Sequence, residues 1–146
     1  MKRITKILTL LLTSVVLCAS VLPIFASAEN AVSPRYVNAN DCRMYFTTSN
    51  GVASAAVTYN AKSDVFSYAT ITVKIQKRFL GIFWSTVDIG YTDNEWIAYC
   101  YDLNGTVYNS FPLEDTGTYR AVFTVEIYGK DGSVDTIEDK ITSTYD

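Results

Sequence analysis

The sequence predicts an all-β fold, an antiparallel β-sandwich of seven or eight strands. Three observations point there. From Cys42 onward the apolar residues recur with period two rather than 3.6. Dipeptides that tolerate positive φ, Asn50-Gly51, Asn104-Gly105 and Asp131-Gly132, punctuate the apolar runs. The runs recur about every ten residues, the spacing of short strands in a sandwich or barrel.

The first element is removed from the fold. Lys2, Arg3 and Lys6 precede a mainly apolar run from Ile7 to Phe25, and Ala26-Ser27-Ala28 closes it. This is the pattern of a secretory signal peptide cut after Ala28. The run is long enough to span a bilayer, but Pro23 and the small-residue site favour cleavage over an uncleaved anchor. Residues 1–28 are read as leader, 29–41 as a flexible N-terminal lead-in containing Pro34, and 42–146 as the β-sandwich. The expected location is secreted and extracellular.

The clearest strand is Tyr119, Ala121, Phe123, Val125 and Ile127, alternating with Arg120, Val122, Thr124 and Glu126. Next is Ile71, Val73 and Ile75, alternating with Thr70, Thr72, Lys74 and Gln76. Each has one buried and one wet face. Further strands are expected over Cys42–Thr47, Val52–Tyr59, Phe83–Tyr91, Glu95–Asp102, Thr106–Phe111 and Ser133–Thr142. The last has helical spacing at Val134, Ile137 and Ile141, but it is β-branched and follows a turn dipeptide, so a strand is expected, with room for a bulge. Phe79-Leu80-Gly81-Ile82 forms an apolar turn, either packed over or exposed for contact.

Removing the leader's three basic residues leaves nine basic against fifteen acidic residues, a net of −6. That balance predicts no nucleic-acid partner and no membrane contact after leader removal. Lys74, Lys77 and Arg78 are read as edge-strand protection. Two cysteines remain, Cys42 and Cys100, in an exported domain where oxidation is the default. A disulfide between them would stabilise the fold by about 4 kcal/mol; two free thiols are the alternative.

The chain has no histidine, which removes histidine-dependent nucleophilic catalysis and the commonest metal ligand. Glu114-Asp115 and Glu138-Asp139 are adjacent pairs, and neighbours on a strand point to opposite faces. Glu95 and Glu126 would act together only if topology joined them. Asp102-Leu103-Asn104-Gly105 echoes the start of a calcium loop without the later glutamate, and Asn104-Gly105-Thr106 matches a glycosylation sequon; both read better as a turn. No catalytic residue, metal site or cofactor is expected, and the chain is not read as an enzyme.

Asp115-Thr116-Gly117-Thr118-Tyr119-Arg120-Ala121 resembles the tyrosine corner of immunoglobulin-like domains, with Asp115, Gly117 and Tyr119 in the corner positions. In antibody domains a cysteine follows the tyrosine by two residues. Ala121 stands there instead, so Cys42 and Cys100 make a different bridge or none. Ser33-Pro34-Arg35-Tyr36, Ile75-Gln76-Lys77, Trp84, Val87 and Gly117-Thr118-Tyr119-Arg120, following a basic leader, resemble an uncharacterised family of small secreted Gram-positive bacterial proteins. The resemblance implies secretion and an immunoglobulin-like sandwich, and carries over no functional residue.

The remaining oddity is aromatic content: eleven tyrosines, two tryptophans and six phenylalanines beyond the leader. Tyr119, Phe123 and Phe46 fit buried stripes, and Trp84 is a candidate for the tryptophan on a sandwich core. If Cys100 faces inward with Trp96 and Ala98, then Ile97, Tyr99 and Tyr101 face outward as an aromatic stripe suited to ligand binding. The expected function is a secreted, non-enzymatic binding module contacting an extracellular protein or glycan. A small antimicrobial or toxin-like effector and a cell-surface structural component are the alternatives.

Overall fold

A computed structural model describes residues 36–146. The expected leader, its expected cleavage site and the first part of the expected lead-in lie outside the described residues. Eight strands follow: β1 (Ala39–Ser49), β2 (Val52–Ala61), β3 (Phe66–Phe79), β4 (Phe83–Thr86), β5 (Trp96–Cys100), β6 (Asn104–Pro112), β7 (Gly117–Gly129) and β8 (Val134–Tyr145). Every pairing is antiparallel. One sheet runs β1-β2-β6; the other runs β4-β3-β7-β8, with β5 also on β3.

That order is immunoglobulin-like. β1, β2 and β6 take the places of strands A, B and E, while β3, β7 and β8 take those of C, F and G. β4 adds the C′ position. β5 departs from the pattern: it pairs with β3 rather than β6, so β4 and β5 lie end to end along one edge of β3, at Gln76–Phe79 and Ala69–Val73.

Inward residues follow the strand alternation. β3 gives Ala69, Ile71, Val73 and Ile75, and β7 gives Tyr119 to Ile127 at every second position, all buried. β2 answers with Ala53, Ala55, Val57, Tyr59 and Ala61. Large side chains from one sheet thus meet mostly small ones from the other, which keeps the layers close-packed.

Several expectations need correction. β4 ends at Thr86, not Tyr91. Val87 makes one last bond, from its N–H to Ile75 O at 2.9 Å; then Ile89 turns into the core and Gly90 adopts φ 77°. Leaving β3 there frees the edge that β5 occupies. Asn104-Gly105 is no hairpin turn: both residues begin β6 and pair with Asn60 and Tyr59. Their segment crosses between sheets, and the dipeptide permits positive φ without requiring it. Asn50-Gly51 does form the expected tight turn, at φ 51° and 73°. β8 is a strand whose pairing with β7 runs without a register shift. Trp84 is not a core residue. It lies on the outer face opposite Arg78, with the Arg120 guanidinium 4.2 Å from its ring centroid. Lys74 and Lys77 do not guard an edge, because both lie within the β3–β7 ladder; Arg78, one residue beyond that ladder, pairs only with β4.

Nor is the lead-in loose up to residue 41. β1 begins at Ala39, and Asn38 is fully buried. The N–H groups of Val37, Asn38 and Ala39 all donate to the Asp135 carboxylate, at 3.0, 2.5 and 2.9 Å. Asn38 Nδ2 donates to Ile127 O and Ser133 O, and Ser133 Oγ donates to Asn38 Oδ1. This clasp ties the chain entry to the β7–β8 hairpin.

Cys42 and Cys100 are free thiols, not a disulfide. Cys42 faces inward from β1 and Cys100 from the opposite sheet. Tyr59 is the cross-strand partner of Cys42, and its hydroxyl donates to the backbone oxygen of Asp102. A bridge needs Cβ atoms about 4 Å apart, whatever the redox conditions. Burial, reinforced by Asp41, pushes the Cys42 thiol up to about 11, and burial also raises Cys100. Both thiols are therefore expected to resist a thiol reagent at mild alkaline pH and to react fully in denaturant. A native intact mass lower by two hydrogens would show a bridge instead. The raised Cys42 value favours the neutral thiol in the fold. Its contribution to stability is accordingly constant below the unfolded value of 9.0 and falls as pH climbs toward about 11.

Candidate functional site

β5 alternates as a strand with one face on the core. Trp96, Ala98 and Cys100 turn inward, with Trp96 edge-on to Phe111 at 6.2 Å between centroids. Ile97, Tyr99 and Tyr101 point out and are 44%, 64% and 75% exposed. The pairing of β5 with β3 sets Ile97 beside Thr72 and Tyr99 beside Thr70.

The sheet register extends this stripe with two residues that the sequence reading missed. Tyr68 on β3 and Tyr128 on β7 are paired neighbours, and their rings stack at 4.3 Å and 8°. Tyr101 lies 6.3 Å from Tyr68 at a tilt of 36°. A ladder of Tyr101, Tyr68 and Tyr128 therefore crosses the outer face, with Tyr99 and Ile97 alongside. The Tyr128 hydroxyl donates to Glu126 Oε2 at 3.0 Å, which raises its pKa and holds the ring in place. The parity of Tyr68 and Tyr128 was readable in the sequence; their adjacency depends on pairing.

The opposite outer face, on β1-β2-β6, carries a shallow trough of about 520 Å³. Tyr45 and Tyr108 flank Ala56 across the three strands. Arg43 and Asp41, an ion pair at 2.9 Å, form one wall. Thr58 and Thr106, with hydroxyls 2.9 Å apart, line the floor.

Glu95 and Glu126 do not converge. Glu95 pairs with Lys74 at 2.6 Å, whereas Glu126 sits opposite Thr70, four residues along β3. That is roughly 13 Å of strand, beyond the separation at which two carboxylates flank a glycosidic bond. Asp115 pairs with Lys77 at 3.1 Å. The backbone oxygen of Asp102 accepts the Tyr59 hydroxyl at 2.8 Å. No cluster of three or more potential metal ligands occurs among the described residues. At the β6–β7 corner the Tyr119 hydroxyl donates to Asp115 O at 2.6 Å. Gly117 there has φ 143°, and an added Cβ would lie 3.1 Å from Lys77 Cε. These three residues brace a loop and line no aromatic surface.

The chain matches no family model and no curated protein. Among solved structures it is similar to the collagen binding subdomain of the Enterococcus faecalis surface protein ACE, at 11% sequence identity and a TM-score of 0.43, over 70% of this chain and 96% of that one. The immunoglobulin-like assignment stands on the strand order described above. Among the described residues, no helix is long and apolar enough to cross a membrane.

Proposed function

We propose that this is a secreted, non-enzymatic binding module that holds an extracellular protein or glycan against the outer face of its five-stranded sheet. One observation carries the reading: Ile97, Tyr99 and Tyr101 are exposed and contiguous with the stacked pair Tyr68–Tyr128. Tyrosines lose little rotamer entropy on binding, and they offer an apolar ring face with a polar tip. An exposed aromatic patch is informative when it is continuous, and this one spans neighbouring strands. The basic leader with its small-residue cleavage site supports export.

The test is capture of partners from secreted and cell-wall fractions, together with retardation on polysaccharide gels. The double substitution Tyr99→Ala with Tyr101→Ala is expected to weaken capture at least tenfold, as loss of central aromatic contacts does. Each side chain is exposed, so thermal stability should stay within about 0.5 kcal/mol per site. A folded double variant that captures as well as the parent would defeat the proposal. Retardation on a polysaccharide gel would assign a glycan; capture of a protein alone would assign a protein.

A further inference from the structure

The β3–β4 hairpin ends in the most exposed apolar segment on this sheet. Phe79, Leu80, Ile82 and Phe83 are 60%, 73%, 72% and 62% exposed around Gly81. The turn itself is tight, with Ile82 N–H donating to Phe79 O at 3.2 Å. Leu80 and Gly81 have φ 51° and 72°, nearly the geometry of Asn50 and Gly51 in the β1–β2 turn. That other turn uses the residues such geometry favours. Here a leucine occupies the left-handed position, where it is disfavoured both by backbone sterics and by exposure to water. Neither the turn nor the core accounts for it.

The tip also overhangs. The ladder between β3 and β7 ends at Lys77–Tyr119, so Arg78 and Phe79 pair only with β4, opposite Trp84 and Phe83. Behind the apolar tip sit Arg78 and Arg120, with guanidinium carbons 6.0 and 4.2 Å from the Trp84 ring centroid. Arg120 Nε donates to Gln76 Oε1 at 2.7 Å. Neither arginine is in an ion pair among the described residues, whereas Lys74 and Lys77 each have a carboxylate. The sequence runs from apolar tip to tryptophan to two unneutralised arginines. Apolar groups suit the acyl boundary, tryptophan the interface, and arginine the phosphate layer.

We propose that this hairpin docks the domain on a bilayer carrying anionic phospholipids. The tip enters the acyl boundary, and Arg78 and Arg120 contact headgroup phosphates. The net charge of −6 argued against membrane contact, but it is an average over the whole domain. At physiological ionic strength charges are screened beyond about 8 Å, so the local arginines govern close contact. The surface is separate from the tyrosine ladder, and the proposal does not depend on the ladder's role.

The experiment is co-sedimentation of the purified exported chain with vesicles of phosphatidylcholine alone or mixed equally with phosphatidylglycerol. Binding is expected on the mixed vesicles, weaker on phosphatidylcholine, and reduced by salt. Leu80→Asn with Ile82→Ser should lower partitioning at least tenfold. Its melting temperature should hold or rise, because asparagine accepts the left-handed backbone that leucine resists. Arg78→Gln with Arg120→Gln should remove the preference for anionic vesicles and leave residual binding. Absence of binding by the folded parent, or binding unchanged in the tip variant, would overturn the proposal. So would concentration-dependent dimerisation abolished by the tip substitutions, which would assign the hairpin to a second copy.

Discussion

Asp135→Ala is expected to destabilise the fold by about 3 kcal/mol or more. Three consecutive backbone N–H groups, at Val37, Asn38 and Ala39, converge on one carboxylate that is only 8% exposed. Removing the acceptor strands the buried donors of Asn38 and Ala39, whereas the exposed Val37 can turn to water. Each unsatisfied buried donor costs about 1–3 kcal/mol, and bonds to a charged acceptor lie at the upper end. Asp135→Asn should fall between alanine and the parent. An amide keeps one acceptor oxygen but turns an NH₂ toward a donor, since Oδ1 and Oδ2 are both in use. The urea midpoint should fall with an unchanged denaturant slope. Hydrogen exchange at Val37 to Ala39 should accelerate most, because these amides lose their only acceptor. A shift within about 0.5 kcal/mol, the scale of an ordinary surface substitution, would mean the clasp contributes nothing.

This clasp was not legible in the sequence. Asn38 and Asp135 are 97 positions apart, and a polar, proline-containing stretch reads as loose wherever its partner is distant. The strands inside the core were legible for the opposite reason. β7 and β3 each keep one face wet and one dry, so the period of two is written into consecutive residues. Edge choice was not. No local signal says that β5 joins β3 rather than β6, and that choice decides which side chains neighbour one another. The outward parity of Ile97, Tyr99 and Tyr101 followed from alternation on a single strand. Tyr68 and Tyr128 were invisible as partners because their stacking depends on how β3 registers with β7. Two misreadings share one cause. Asn104-Gly105 and the cysteine pair were inferred from what their chemistry permits, whereas strand placement decides whether the permitted feature occurs. At Trp84, residue type suggested the core, but the residue sits on a strand only four residues long with its ring under two arginines.

Tyr119→Ala is expected to cost about 4 kcal/mol, in the range of other buried aromatic truncations. The ring is buried among the inward residues of β7 and the core they share with β2. Tyr119→Phe isolates the hydroxyl. It keeps the ring and removes the 2.6 Å bond to Asp115 O, so it should cost about 1–2 kcal/mol. Lys77→Ala, which removes the exposed ion pair to Asp115, should cost under about 1 kcal/mol. If the corner is held by the tyrosine hydroxyl, the phenylalanine variant must exceed the lysine variant. The reverse order in urea unfolding would show that the ion pair, not the hydroxyl, fixes the loop. A further consequence separates the corner from the clasp. Tyr119 and Ile127, the β7 residue opposite Asp135, are eight positions apart, or roughly 26 Å along the strand. Sites that far apart without shared partners add to within about 0.5 kcal/mol. Tyr119→Phe combined with Asp135→Asn should therefore give the sum of the two single losses. A large departure would mean that β7 transmits strain along its length between the two ends of the sandwich.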